Sequence, residues 1–411
     1  MSLLASNSDP AGVGFDPLRL ARIDRHFQRY VDDGRLPGWL VAITRHGRLA
    51  HLATAGHRDL EAAAPVDVDT IWRIYSMTKP ITAVAALMLW EEGAFELSDP
   101  VSDYIPAFAG TKVWRAGNTN SPVLDPITEP MRLWHLMSHT SGLTYGFMYS
   151  HPVDALYRSG GFEWGVPPGA DLATICDRLA GLPLVFQPGT EWNYSMGLDV
   201  LGRVIELIAG MPLDEFLRTR LLEPLGMTET GWSVPPADVA RLAALYGVHP
   251  VTGRAARLEA AGSAALQAPA AFLGGGGLVG TAADYQRFVS MLLNGGTLDG
   301  VRVLSPRTIR YMASNHLPGN ADLSEFGRPL FSETAFDGVG FGLGVSVTID
   351  PVKAKVPGSV GEFAWGGAAS TAFWVDPAED MTVMFFTQLL PSSAHPIRSE
   401  LKQLVYQALI D

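Results

Sequence analysis

Apolar residues recur along this chain with two different periods, and the change of period divides it. In FDPLRLARIDRHFQRYVDDG, leucine, isoleucine and phenylalanine fall at helical spacing, with Asp16 before Pro17 as a start signal and Gly34 as a stop. WLVAITRHG and RLAHLATAG follow, two short apolar-rich runs joined through His46-Gly47 with the spacing of a β-hairpin. Near the other end FGLGVSVTI, GEFAWGG, TAFWVDP and MTVMFFTQL predict four further strands, and HPIRSELKQLVYQALI predicts a closing amphipathic helix. Strands from both ends of the chain are expected to share one antiparallel sheet, flanked by the terminal helices.

Between them the period is mostly helical: MRLWHLMSHT, DLATICDRLAGL, GLDVLGRVIELIAG, PLDEFLRTRLLEPLG and ADVARLAALYG, repeatedly punctuated by glycine and proline. The fold class is therefore α/β in the broad sense (α+β), an antiparallel sheet with helices and a second, mainly helical domain. Residues 1–104 and 265–411 form the discontinuous α/β domain and residues 105–264 the helical one. A cleft between two such units is a preferred place for a small-molecule site.

The 411 residues, 47% hydrophobic and 18% charged, suffice for a large core. No window reaches eighteen uninterrupted apolar residues, and MSLLASNSDPAGVGFDP lacks the basic and apolar regions of a secretory signal, so a cytoplasmic location is expected. A net charge of -12 without basic clusters gives nucleic acid and anionic membranes no footing as partners. The single cysteine, Cys176, excludes an internal disulfide and reads as a small buried hydrophobe. Only five of the 30 basic residues are lysines, so a lysine at a motif position carries information.

One of those five is Lys79, in Tyr75-Ser76-Met77-Thr78-Lys79-Pro80, which opens the long apolar pattern TKPITAVAALMLWEEG. With a helix starting near Ser76, residues three apart share a face, and Oγ and Nζ can enter one pocket. A serine hydroxyl is a nucleophile only when a base takes its proton, and burial at a helix start pushes a lysine toward the neutral amine. Alternatively Ser76 merely caps the helix and Lys79 is solvated; Ser399-Glu400-Leu401-Lys402 repeats the spacing in the closing helix with no adjacent partner.

Two further features change the balance. In FQPGTEWNYSMGLDVLGRVIE, Tyr194 stands after a Pro-Gly turn and before a helical pattern, where a phenol could relay a proton beside an ammonium. Trp365-Gly366-Gly367-Ala368 ends one predicted strand, and paired glycines there let a ligand approach the backbone, while a free N–H can serve an oxyanion. Singly, these features are an ordinary aromatic and an ordinary hairpin turn.

Together, Ser76-x-x-Lys79, the Tyr194 motif and the late glycine pair resemble the serine β-lactamase and penicillin-recognising fold. The nearest likeness is to class C β-lactamases and family VIII carboxylesterases, and it covers nearly the whole chain, HTSGL at 139–143 and GGGGL at 274–278 included. The resemblance implies that Ser76 attacks an ester carbonyl, that Lys79 and Tyr194 share the acid and base work, and that the amides of Ser76 and Ala368 form the oxyanion hole. It implies no cofactor. Where β-lactamases carry Tyr-x-Asn this chain has Tyr194-Ser195-Met196, and where they carry Lys-Thr-Gly it has Trp365-Gly366-Gly367. Loss of that lysine favours neutral acyl substrates over anionic ones.

The expected function is a serine carboxylesterase acting on small, neutral, short-chain esters, with Trp365, Gly366, Gly367, Tyr145 and Met196 lining the substrate site. Acyl transfer to an alcohol is the nearest alternative; weak β-lactamase or D-amino-acid peptidase activity and a non-catalytic sensor or scaffold are others. TYGFMYSHPVDALYRSGGFEWGV, which contains Tyr145, could wall an acyl or alcohol group or simply pack the helical domain. His135 and His139 have i, i+4 spacing without the glutamate of a zinc motif, so no metal is expected. GGGGL lacks the context of a phosphate loop, and no G-x-S-x-G supplies a nucleophile elbow.

Overall fold

A computed structural model describes residue 4 and residues 9–328 and 331–411; most of the first eight residues of the opening segment lie outside that range. The N-terminal pattern becomes helix α1, Pro17–Asp32. Asp16 caps it by accepting from the amides of Leu18 and Arg19 at 2.8 and 3.2 Å. Strands β1, Gly38–Arg45, and β2, Arg48–Asp59, form the expected hairpin. Its two turn residues, His46 and Gly47, have φ of 52 and 67°, the sign that a tight two-residue hairpin loop requires.

Strand β3, Ala64–Pro65, closes this edge. From the far end of the chain come β4 (Val339–Phe341), β5 (Ser346–Thr348), β6 (Phe363–Gly367), β7 (Thr371–Asp376) and β8 (Met381–Phe386). The eight run antiparallel in the order β4-β5-β6-β7-β8-β1-β2-β3, so the two chain ends meet at the β8–β1 ladder, where Leu40 faces Phe386.

Successive residues of a strand point to opposite faces, and β1 is buried along its whole length because both faces are covered. Trp39, Val41 and Ile43 pack with Leu20, Ile23 and Phe27 of α1. The same layer takes in Ile397, Leu401 and Val405 of the closing helix, Ile397–Tyr406. Leu40 and Ala42 join the larger core on the other face, which includes helix α2, Thr78–Glu91. That helix is buried from Thr78 through Leu89, so it is apolar all round rather than amphipathic.

Three sequence expectations are corrected. FGLGVSVTI is not one strand: β4 ends at Phe341, β5 begins at Ser346, and the chain turns between them. Gly344 has φ 84°, and a Cβ on it would stand 2.6 Å from the Cβ of Ala83 in α2. Gly344→Ala is therefore expected to cost about 2–4 kcal/mol from left-handed backbone plus overpacking, measured as a lower denaturant midpoint. The helical stretch also holds a β-hairpin, Lys112–Asn118 with Ser121–Pro126, and ADVARLAALYG gives only a short 3₁₀ turn, Pro236–Arg241, before a strand at Tyr246–Val248. MTVMFFTQL likewise divides, Leu389–Leu390 leaving the main sheet to pair with Tyr246 and Gly247.

Among the described residues, no helix is long and apolar enough to cross a membrane.

Candidate active site

Ser76 lies in a 3₁₀ turn, Tyr75–Met77, that runs directly into α2. Tyr75 holds φ 45°, a left-handed conformation uncommon for a bulky residue, and so tips the turn up ahead of the helix. No side chain caps α2, so capping does not explain Ser76. Instead its Oγ accepts hydrogen bonds from Lys79 Nζ at 3.2 Å and from the Tyr194 hydroxyl at 2.5 Å.

Lys79 is 1% exposed. Its Nζ also donates to the carbonyl of Gly275 at 2.6 Å and lies 4.7 Å from the ring centre of Tyr194 and 5.4 Å from that of Tyr145. Burial pulls its pKa from 10.5 down to about 8, against the opposing charges of Asp199 and Glu333. About a tenth of the amine is thus neutral at pH 7, and the neutral share grows as the pH approaches 8. Burial, reinforced by Glu333, lifts the Tyr194 phenol well above its ordinary range, so it carries its proton.

The GGGGL run is what holds the amine. Asp199, buried in the helix Gly197–Ala209 just past Tyr194, accepts from the Gly275 amide at 2.8 Å, and Thr82 of α2 donates to the Gly274 carbonyl at 2.7 Å. A Cβ on Gly275 would come within 2.5 Å of Asp199 Oδ2, so only glycine lets the loop close over Lys79.

HTSGL does the equivalent for Tyr194. His139, at φ 57°, is held from Nδ1 to Ser195 Oγ at 3.0 Å, its carbonyl accepts from the Asn193 amide at 2.9 Å, and Asn193 Nδ2 donates to the Leu143 carbonyl at 3.1 Å. Burial, then the charge of Lys79, holds the His139 imidazole neutral. His135 faces elsewhere, accepting from the Arg132 amide at 3.0 Å, and burial brings its pKa down to about 4. Among the described residues, no group of three or more histidine, cysteine, aspartate or glutamate side chains is placed to hold a metal ion.

Of the remaining residues named from the sequence, Tyr145 and Trp365 pack on this trio. Tyr145 packs on Tyr194 at 5.2 Å between ring centres and stacks on Phe147, which stacks on the exposed Trp164. Trp365 is 1% exposed and braces the Tyr194 ring edge-on at 5.4 Å. Gly367, the neighbour of Ala368, presses its backbone against Ile74, two residues before Ser76, where any Cβ would collide with the Ile74 carbonyl. Met196 is buried in the main core at the start of the Gly197–Ala209 helix.

Asp199, Glu333, Arg398 and the Gly275 carbonyl were not picked out from the sequence, and only Asp199, close behind Tyr194 on a buried helical face, gave a usable signal. The second Ser-x-x-Lys differs as follows. Ser399 Oγ donates to the Pro396 carbonyl, and Lys402 is not partnerless but ion-paired with buried Glu362.

The family profile described as Beta-lactamase matches residues 23–407. The chain is 37% identical to Protein Rv1367c of Mycobacterium tuberculosis over 364 residues, 88% of each chain. It is 31% identical to Esterase EstB of Burkholderia gladioli over 423 residues, covering 98% of this chain and 100% of EstB. Among solved structures it is similar to EstCE1, a hydrolase with promiscuous acyltransferase activity, with a TM-score of 0.78 at 28% identity, covering 96% of this chain and 99% of that one.

Proposed function

The chain belongs to the Beta-lactamase family, as a serine hydrolase, and from that premise we propose that it is a carboxylesterase working through an acyl-enzyme on Ser76. The observation that carries the proposal is the convergence of Lys79 Nζ and the Tyr194 hydroxyl on one oxygen, Ser76 Oγ. The neutral Lys79 amine takes the Oγ proton as Oγ bonds to the ester carbonyl carbon. The oxyanion that forms sits against the amides of Ser76 and Ala368. Tyr194, protonated in the resting enzyme, gives its proton to the departing alcohol oxygen as the C–O bond breaks, and recovers one from the Lys79 ammonium. Water then enters by the same steps in reverse.

Neutral esters are favoured because, on the resemblance to β-lactamases, Trp365 stands where those enzymes carry the cation for a β-lactam carboxylate, and Met196 where they carry the amide-binding asparagine. Burial of Trp365 makes it a brace for Tyr194 rather than a polar contact for substrate. The name of Esterase EstB supports ester substrates, and EstCE1, a hydrolase, supports hydrolysis. The promiscuous acyltransferase activity of EstCE1 also favours a second reading, capture of the acyl group by an alcohol, since the two reactions differ only in the acceptor.

The test is a comparison of p-nitrophenyl butyrate with the anionic β-lactam nitrocefin. The expected kcat/KM ratio favours the ester by about 100-fold or more, the size expected when polar contacts to a substrate are missing. A ratio near one or below overturns the ester assignment, and an ester product that grows with added alcohol at the expense of free acid selects transfer over hydrolysis.

A further inference from the structure

A half-buried arginine, Arg398, is paired with a buried glutamate, Glu333, whose charge is felt by Lys79 and Tyr194. Arg398, on the closing helix, donates from Nη1 to the Glu333 carbonyl at 2.9 Å and from Nη2 to Glu333 Oε2 at 2.5 Å. The same Nη2 reaches the carbonyls of Thr371 and Gly367 at 3.2 and 3.4 Å. Those two carbonyls bracket the β6–β7 turn that carries Ala368. Gly366 makes the approach possible, because a Cβ there would collide with the guanidinium. The Glu333 side chain is 1% exposed, and its Oε1 has no hydrogen-bond partner among the described residues. Its charge therefore reaches the site, where it bears on Lys79, Tyr194 and Tyr145.

We propose that Arg398 and Glu333 are a positioning pair for the reaction. Arg398 splints the Gly367–Thr371 turn so that the Ala368 amide is aimed at the ester oxygen, and Glu333 holds the guanidinium there while its charge acts on Lys79. The splint rests on the reading of Ala368 as an oxyanion donor. Arg398 serves four acceptors at once, the Glu333 carboxylate and three carbonyls, and a lysine ammonium, with three donors on one nitrogen, is not expected to hold them all. Oxyanion donors act in the transition state, so a slack turn lowers kcat and leaves KM nearly alone.

Glu333 is one of several groups facing Lys79; the others are Ser76, Tyr194, Tyr145, His139 and Asp199. Because the Glu333 charge favours the ammonium, removing it moves the acid limb of the kcat/KM profile to lower pH.

Two variants separate the roles. Arg398→Lys is expected to lower kcat by about 10-fold or more per active site, with KM and the acid limb near wild type. Sites are counted by end-point fluorophosphonate labelling, so a misfolded fraction does not enter the rate. Glu333→Gln leaves the carbonyl bonds of Arg398 possible and is expected to shift the acid limb down. A per-site kcat for Arg398→Lys within about twofold of wild type, or an acid limb in Glu333→Gln that stays or rises, overturns the pair. If wild type itself hydrolyses no ester, the proposed function has failed rather than this pair.

Discussion

Ser76→Ala is expected to lower p-nitrophenyl butyrate turnover by roughly 10⁴-fold or more, the scale on which removal of a nucleophile from a concerted set is felt. The melting temperature is expected to fall by no more than about a few degrees, because the serine hydroxyl caps no helix and the turn is partly exposed, while the buried Tyr194 hydroxyl loses its acceptor. Lys79 keeps its bond to the Gly275 carbonyl, so it is not left buried without a partner. Full hydrolysis by this variant would show that the convergence on Oγ has no chemical role.

The second large effect belongs to Lys79. Lys79→Met, close in volume and without the amine, is expected to lower kcat/KM by about 10²–10⁴-fold, the usual range for a lost general base. The pH dependence gives a separate signature. The amine acts when neutral, and its folded pKa is about 8, so wild-type kcat/KM rises with pH and levels off above that value. The Tyr194 phenol, held well above its ordinary range, keeps its proton there and adds no falling alkaline limb. Lys79→Met is expected to lose the limb along with the rate. A wild-type profile that is flat across about pH 6 to 9 would instead take the base role from Lys79.

The meeting of Ser76, Lys79 and Tyr194 was legible because two of the three are near neighbours. A three-residue spacing at a helix start is a local fact, and the structure needs only a 3₁₀ turn to bring Oγ and Nζ together. Tyr194 became readable through its turn-then-helix setting, although 118 residues separate it from Ser76. The sheet was legible for a similar reason: WLVAITR and MTVMFFT are apolar on both faces, which only a doubly covered strand explains.

What stayed hidden depends on distant pairings. FGLGVSVTI has the composition of one strand, and at its break Gly344 takes φ 84° where a Cβ would collide with Ala83 of α2. Gly275 and Gly366 look like generic flexibility in the sequence, yet one admits Asp199 and the other Arg398. Glu333 and Arg398 carry no motif at all. Their partnership exists only because the closing helix lies against the turn after β6, and a charged residue on an amphipathic helix ordinarily reads as solvated.

The most direct test of the central claim is to quench the enzyme during turnover of p-nitrophenyl butyrate and measure the protein's intact mass, then map any adduct by peptide digestion. The expected result is one butyryl group, carried by the peptide that contains Ser76 and absent from Ser76→Ala. Steady turnover with the butyryl group on another residue, or with hydrolysis persisting in Ser76→Ala, would contradict it.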